Sequence, residues 1–161
     1  MSGQVEVDET FVGGRKHRTK AHRPGTGRDN KSVVLGIVQR GGPLLGKVVD
    51  SNEAMSLIPP IMENVAQGTT IHSDEWTVYK RHLPNLGYKH SFVKHRIDEF
   101  VRDETHTNTL EGFWSHLKRG IRSTHVAVSK KHLQRYVDEF AWRFNNRHDP
   151  AAMFNRLLSS V

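Results

Sequence analysis

The hydrophobic periodicity of this chain changes from strand-like to helix-like along its length, and that change limits the folds open to it. Over residues 5–11, apolar and polar residues alternate as in a β-strand with one buried face, and Gly13-Gly14 ends the pattern. The segments 32–38 and 44–49, joined through a Gly-Gly-Pro turn, predict two further strands. The first third of the chain therefore predicts an antiparallel meander of three strands.

The middle of the chain alternates between helix and strand patterns. Apolar residues recur at helical spacing over 52–67, and because Pro59-Pro60 restricts where a helix can begin, we expect its regular part to follow the prolines. A β-prone segment at 69–73 predicts a fourth strand, and 76–82 predicts a brief helix. Residues 88–93 alternate like a fifth strand.

Two longer helices complete the predicted fold. After a patternless segment at 97–107, which we expect to be a loop, apolar stripes predict a helix over about 107–121 and another that opens at Ser129. Asp149-Pro150 ends the latter before a short amphipathic tail. The order of elements predicts a single α/β domain over residues 1–161, with a five-stranded mixed sheet flanked by helices.

The charge of the chain favours an anionic partner such as nucleic acid. Its 24 Lys and Arg residues exceed its 17 Asp and Glu residues, which gives a net charge of +7 and a pI near 9.9. The segment 15–31 is rich in Lys, Arg, Pro and Gly and cannot bury a core, so we expect an exposed hairpin loop. That loop either is simply solvated or binds phosphates of DNA without sequence preference.

The chain contains no cysteine, so a bound metal must use oxygen or imidazole ligands. Its eleven histidines leave a zinc site open, but no pair of them has a tight ligand spacing such as HExxH. The beginning of the sequence lacks the apolar stretch of a signal peptide, and no apolar run approaches the roughly 18 residues of a membrane span. We therefore expect a soluble, cytoplasmic protein with no membrane partner.

Three carboxylates carry the functional prediction. Asp8 lies in the first predicted strand, Asp74 ends the fourth, and Glu111 lies on the helix after the fifth. If the first and fourth strands are neighbours, the two aspartates lie side by side, and a packed helix can bring the glutamate to them. Such crowding is unfavourable unless cations neutralise it, and hard oxygen ligands suit Mg²⁺ or Mn²⁺. Two such ions can promote in-line displacement at phosphorus, which is the chemistry of DNA cleavage and strand transfer.

Four stretches resemble the DDE transposases of bacterial insertion sequences, in the group whose ribonuclease H-like core normally follows an N-terminal zinc ribbon. They are VEVDETFVGG at 5–14, IHSDEW at 71–76, HTNTLEGFWSHLKR at 106–119 and SKKHLQRYVDEF at 129–140. The resemblance spans nearly the whole chain and implies a ribonuclease H-like fold. The cysteine-rich ribbon of that group is absent from this sequence.

The resemblance implies the roles of the acidic residues. In that family two aspartates and a glutamate bind two Mg²⁺ (or Mn²⁺) ions, which places the catalytic and metal-binding roles on Asp8, Asp74 and Glu111. The last two are 37 positions apart (74 to 111), a spacing common in the family. A lysine seven residues after the glutamate is also typical, and Lys118 lies there, on the same helix face as Glu111. Asn108 is an alternative third ligand, but a carboxylate binds Mg²⁺ more strongly than an amide does.

The predicted function is that of a transposase that frees a 3′-hydroxyl at an element end and joins it to target double-stranded DNA. Assembly of two or more protomers on DNA is implied by the resemblance. The alternatives are a ribonuclease H-like nuclease that cuts without joining, and a transposase-derived protein that only binds DNA. The predicted DNA contacts, chosen for charge, polarity or an aromatic ring, are Lys118, Arg119, Arg122, Arg15, Lys16, Arg18, Lys20, Arg23, Trp76 and Asn108, with Lys130 and Lys131 as further backbone contacts.

Strand alternation adds one candidate metal ligand to the triad of Asp8, Asp74 and Glu111. Glu6 is expected to share a face with Asp8 and is an auxiliary metal-ligand candidate, whereas Glu9 points to the other face. Trp114 is expected in the core, while Trp76 is a candidate for stacking on unpaired bases.

Overall fold

The computed structural model describes residues 1–13, 31–74, 76–92, 107–125 and 128–159. These ranges contain five β-strands and five α-helices, in the order β1 (Gln4–Val12), β2 (Ser32–Gln39), β3 (Leu44–Val49), α1 (Ala54–Asn64), β4 (Thr70–Ser73), α2 (Thr77–His82), β5 (Lys89–Phe92), α3 (Asn108–Gly120), α4 (Lys130–Asn145) and α5 (Pro150–Leu158). A 3₁₀ turn at Pro84–Leu86 follows α2, and a π-helical turn at Ile121–His125 follows α3.

The five strands form one mixed sheet in the order β3-β2-β1-β4-β5. β1, β2 and β3 pair antiparallel, which confirms the predicted meander. β4 pairs parallel with β1 and with β5, so β1 and β4 are neighbours, as the sequence predicted. This α/β architecture confirms the predicted fold class and fits the ribonuclease H-like fold.

Helices cover both faces of the sheet, because the alternation of the strands supplies apolar side chains to each face. On one face Val5 and Val7 join a core with Leu57 and Ile61 of α1 and Tyr79 of α2. On the other face the sheet packs against α3 and α4. The core there comprises Val12, Val34, Val38, Leu44, Leu110, Phe113, Trp114, Leu117, Ile121, Leu133, Val137 and Ala141.

The first helix begins earlier than predicted. α1 runs from Ala54 to Asn64 with Pro59 and Pro60 inside it, so the expectation that its regular part follows the prolines was wrong. Two prolines remove two backbone donors, but the helix buries Leu57 and Ile61 completely against the sheet. Tertiary burial therefore outweighs the local cost of the prolines.

The carboxyl-terminal third agrees with its predicted outline. α3 ends at Gly120, close to the predicted end at 121, and is followed by the π-helical turn at 121–125; Ser129 precedes α4. The predicted tail is α5, whose cap Asp149 accepts a hydrogen bond from the backbone N–H of Ala152. None of the helices in the described ranges has the length and apolar character needed to cross a membrane. The predicted loops at 15–31, apart from Lys31, and at 97–107, apart from Thr107, lie outside the described residues.

Gly36 determines how closely α3 approaches the sheet. A Cβ atom at this position would lie 2.6 Å from Cζ2 of Trp114 and 2.7 Å from Cδ2 of Leu110, well inside contact distance. We therefore expect Gly36→Ala to destabilise the protein by about 1–3 kcal/mol, because α3 must move away from β2. Urea unfolding monitored by tryptophan fluorescence measures the change.

The matched control is Gly112→Ala, since a Cβ there has nothing within 4 Å and lies on α3. This change should stabilise the protein by up to about 1 kcal/mol, because alanine favours the helix. Equal effects from the two substitutions would contradict the close approach of α3 at Gly36.

Candidate active site

Asp8 lies near the middle of β1, directly opposite Gly36 of β2. The space left by Gly36 is filled by the ring of Trp114, whose Nε1–H donates a 2.8 Å hydrogen bond to Oδ2 of Asp8. Trp114 is 5% exposed and belongs to the core, as the sequence predicted. The helix that carries Glu111 therefore also holds the Asp8 carboxylate in place.

Asp74 directly follows β4, the strand that pairs with the one carrying Asp8. The parallel register between β1 and β4 pairs Glu6 with His72, two residues before each aspartate. Asp74 follows the last residue of β4, and its Oδ1 accepts a 2.9 Å hydrogen bond from the backbone N–H of Trp76. That bond holds the Asp74 carboxylate against the backbone just before α2.

Glu111 lies in the first turn of α3 and is exposed to solvent. Burial raises the pKa of Asp8 to about 6, and the negative charges of Asp74 and Glu111 act in the same direction, against the hydrogen bond from Trp114. The fold thus brings Asp74 and Glu111 each within electrostatic range of Asp8. Within the described ranges, however, no three His, Asp or Glu side chains stand close enough together to hold one metal ion.

The chemistry of the donor set fits a hard divalent cation. Carboxylate oxygens are the ligands that Mg²⁺ and Mn²⁺ prefer, and the electrostatic strain on Asp8 is the kind that a cation relieves. Glu111 is exposed on the first turn of its helix, so its carboxylate is open to solvent.

Glu9 is a further acid at the site whose partner the sequence did not reveal. It faces away from Asp8, as predicted, but accepts a 2.6 Å hydrogen bond from the hydroxyl of the buried Tyr79. Burial raises the pKa of Glu9 to about 7, with Asp74 and Asp8 adding to the rise and Tyr79 opposing it. Strand alternation places Glu9 on the same apolar face as Val7. Because a carboxylate on such a face needs a hydrogen-bond donor, this placement was the one indication in the sequence that a buried donor contacts Glu9.

Glu6 shares the face of Asp8, as predicted, and its side chain is fully buried. Both of its carboxylate oxygens accept hydrogen bonds from Thr109 at the beginning of α3, and Arg40 forms an ion pair with Oε1. Its predicted role as an auxiliary metal ligand is untested by this geometry. The contacts show that Glu6 joins β1 to α3.

A basic groove lies along the carboxyl-terminal half of α3 and the turn that follows it. Its volume is about 500 Å³, and it is lined by Ser115, Lys118, Arg119, Arg122 and Ser123. Burial lowers the pKa of Lys118, and Arg122 and Lys31 lower it further, while the negative charge of Asp8 raises it. Lys118 therefore lies within electrostatic range of both the first aspartate and two other cations.

Of the other predicted contacts, Trp76 and Asn108 belong to elements that carry or follow the acids, Lys130 and Lys131 begin α4, and the loop residues lie outside the described residues. Trp76 is 37% exposed beside Asp74, and Asn108 is exposed at the first position of α3. Burial and Lys80 lower the pKa of His90, and Asp74 raises it; its Nε2 lies 2.9 Å from the hydroxyl of Ser73. The loop contacts Arg15, Lys16, Arg18, Lys20 and Arg23 fall outside the described residues.

The raised pKa values of Asp8 and Glu9 predict a pH-dependent stability. In the folded protein these acids hold protons up to about pH 6 and about pH 7, whereas the unfolded chain releases them near pH 4. The folded state binds more protons in that window, so its stability falls as the pH rises from about 4 to about 7. We expect Glu9→Gln to raise the Tm of the metal-free protein by a few degrees at pH 8 and much less at pH 4.

Thermal unfolding of the wild type and Glu9→Gln across this pH range measures the effect. Asp50→Asn is the control, because the Asp50 side chain is 96% exposed. If the Tm difference between Glu9→Gln and wild type does not change with pH, the buried carboxylate is not the cause.

Comparison with known proteins connects this geometry to one family. A family model described as an ISXO2-like transposase domain matches residues 1–145, a range that contains all three carboxylates. A protein of Haemophilus influenzae, described as an uncharacterized transposase-like protein, is 28% identical over 99 residues, which are 62% of this chain and 78% of that protein. These matches confirm the resemblance to transposases that the sequence motifs indicated.

Proposed function

This chain belongs to the ISXO2-like transposase domain family, and on that premise we propose that it cuts DNA at the ends of an insertion sequence and transfers the cut strand to target DNA. Membership in a transposase family implies a DNA substrate and a DNA-processing role. We propose further that this role depends on divalent metal ions and on specific residues that bind them.

The observation that carries the proposal is that Asp8 lies on β1 and Asp74 directly follows β4, the parallel neighbour of β1. The negative charges of Asp74 and Glu111 both raise the pKa of Asp8, so all three acids act on one small region. A protein gains nothing in stability from collecting like charges, and such clusters are typical of functional sites. This arrangement supports a shared metal site.

Asp8, Asp74 and Glu111 would hold two Mg²⁺ or Mn²⁺ ions. When bound, such ions lower the pKa of an attacking oxygen and stabilise charge on the leaving oxygen at phosphorus. The chain's own residues orient the acids: Trp114 fixes Asp8 by its hydrogen bond, and the backbone N–H of Trp76 fixes Asp74. Glu111, which is exposed on the first turn of α3, would have to turn inward to complete the set.

The proposed reaction has two displacements at phosphorus. First, water attacks the phosphodiester at the element end, the bond from phosphorus to the 3′ oxygen breaks, and a 3′-hydroxyl is released. That hydroxyl then attacks a phosphodiester of the target, forming a new bond to phosphorus while the target's 3′ oxygen leaves. Neither displacement needs a covalent bond between protein and DNA.

The basic groove along α3 would hold the DNA backbone next to the acids. Lys118, Arg119 and Arg122 line it together with two serine hydroxyls, and phosphate oxygens accept hydrogen bonds from both kinds of group. Trp76 would stack on an unpaired base near the cut, and Asn108 would contact the strand from the beginning of α3. Arg15, Lys16, Arg18, Lys20 and Arg23 would add backbone contacts, and two or more protomers would assemble on the DNA.

The decisive variant is Asp74→Asn, which preserves the shape of the side chain and removes its charge. We expect Mg²⁺-dependent nicking of element-end DNA to fall by at least about 100-fold, because a metal ligand is lost, with DNA binding retained. A nicking assay on a labelled duplex, with binding measured by fluorescence anisotropy, tests this. Asp50→Asn, a change at an exposed aspartate, should nick like wild type.

Equal nicking by wild type and Asp74→Asn would overturn the proposed site. Two other functions give different results in the same assay. A nuclease without strand transfer would nick but yield no joined product when target DNA is added. A protein that only binds DNA would neither nick nor join.

The groove itself predicts the salt dependence of binding. Lys118→Ala and Arg122→Ala should each weaken DNA binding and reduce the slope of log K against log salt by about 1, because each removes one phosphate contact. Lys89→Ala is the matched control, since Lys89 begins β5 at the opposite end of the parallel strands from Asp74. A change in slope for Lys89→Ala as large as for Lys118→Ala would contradict the assignment of the groove.

A further inference from the structure

We infer that Glu6 is a positioning residue that holds the first turn of α3, and with it Glu111, at the correct place relative to Asp8. This inference rests on the proposed function, since the position of Glu111 matters only if that acid acts together with the two aspartates.

The contacts of Glu6 join β1 to the beginning of α3 in a specific way. Oε2 of Glu6 accepts a 3.1 Å hydrogen bond from the backbone N–H of Thr109, and Oε1 accepts a 3.0 Å hydrogen bond from the Thr109 hydroxyl. Thr109 is the second residue of α3 and lies two positions before Glu111. A single carboxylate therefore binds both the backbone and the side chain of the turn that carries the catalytic glutamate.

α3 depends on the distant carboxylate of Glu6 because its own N-cap side chain makes no capping hydrogen bond. The first N–H groups of a helix have no partner within the helix and need an acceptor, usually the side chain of the N-cap residue. The N-cap of α3 is Thr107, whose side chain makes no capping hydrogen bond. Glu6 supplies the acceptor instead, and its negative charge also interacts favourably with the positive end of the helix dipole.

Glu6 is a rigid anchor because its own backbone is paired on both sides. It is opposite Val38 of β2 and His72 of β4, and it is the last residue of β1 in the parallel register. Arg40 supports its side chain: Nε of Arg40 lies 3.2 Å from Oε1 of Glu6, and Nη1 of Arg40 donates to Gln4. Glu6 therefore fixes the position of α3 relative to β1 and β4, the paired strands that bring Asp8 and Asp74 together.

This role differs from direct binding of metal by Glu6. If Glu6 positions α3 through Thr109, weakening either partner of the bond should weaken metal binding. If Glu6 is itself a ligand, only changes at Glu6 should do so. Thr109→Val, which removes the hydroxyl while keeping the branched shape, separates the two cases.

The experiment compares Glu6→Gln, Thr109→Val and wild type in three measurements: amide hydrogen exchange of the metal-free protein, calorimetric titration with Mn²⁺ in the absence of DNA, and the Mn²⁺ concentration for half-maximal nicking. We expect Glu6→Gln to raise the required Mn²⁺ concentration about 10-fold or more and Thr109→Val to raise it by a smaller factor. Exchange should become faster in the first turn of α3 in both variants and remain unchanged in α4.

Two controls separate positioning from loss of stability. Glu139→Gln is a matched change at an exposed glutamate that pairs with Arg143 on α4, and it should leave all three measurements unchanged. Val137→Ala removes core contacts between α4 and the sheet, so it should lower the Tm without changing the Mn²⁺ requirement.

The inference is overturned if Thr109→Val has no effect on the Mn²⁺ midpoint while Glu6→Gln raises it, since Glu6 would then be a ligand. It is also overturned if Val137→Ala raises the midpoint as much as Glu6→Gln, because the effect would then follow stability alone. Failure of wild type to bind Mn²⁺ or to nick would count against the proposed function instead. In that case hydrogen exchange in α3 still decides whether Glu6 holds the helix.

Discussion

The parallel pairing of β1 with β4 is the constraint on which the candidate site depends. Asp8 and Asp74 are 66 positions apart in sequence (8 to 74), and this pairing, with Glu6 opposite His72, places Asp74 directly after the strand that neighbours the one carrying Asp8. A parallel pair requires a crossover connection, which here contains β2, β3 and α1. The meander and the first helix therefore make this placement of the two aspartates possible, although they contribute no acid to it.

Bringing acidic side chains together where β1 pairs with β4 has an electrostatic cost. The residues around these acids reduce that cost only in part. Trp114 donates to Asp8 and Tyr79 donates to Glu9, yet burial still raises the pKa of both acids. Neutral donors stabilise a carboxylate without cancelling its charge, so the repulsion among the three triad acids persists. Lys118 lies within electrostatic range of Asp8, but its own pKa is lowered by burial and by the charges of Arg122 and Lys31. The site thus has acids that favour a cation beside a groove that favours an anion, as expected for metal-assisted chemistry on a phosphodiester.

The sequence predicted the elements well where periodicity decides the structure, and less well where tertiary contacts do. The bounds of β3 were predicted as observed, and Asp74 was correctly predicted to follow β4. The beginning of α1 was missed, because the proline rule is local, whereas the burial of Leu57 that offsets it depends on the sheet. Alternation likewise gave the correct faces for Glu6 and Glu9, but it carries no information on the partner across the interface. The contacts of those two acids with Thr109 and Tyr79 could be found only from the packed helices.

The acids of β1 show how one strand can serve both structure and chemistry. Glu6, Asp8 and Glu9 lie within four consecutive positions, and each contacts a different element or residue: Glu6 the beginning of α3, Asp8 the middle of α3, and Glu9 the helix that follows Asp74. α3 carries Glu111 and α2 follows Asp74, so both of these helices are hydrogen-bonded to β1, the strand that carries Asp8. Because each link is a hydrogen bond from a rigid strand to a packed helix, a displacement of either helix changes the spacing of the triad directly. Strand β1 is consequently the reference to which every part of the candidate site is aligned.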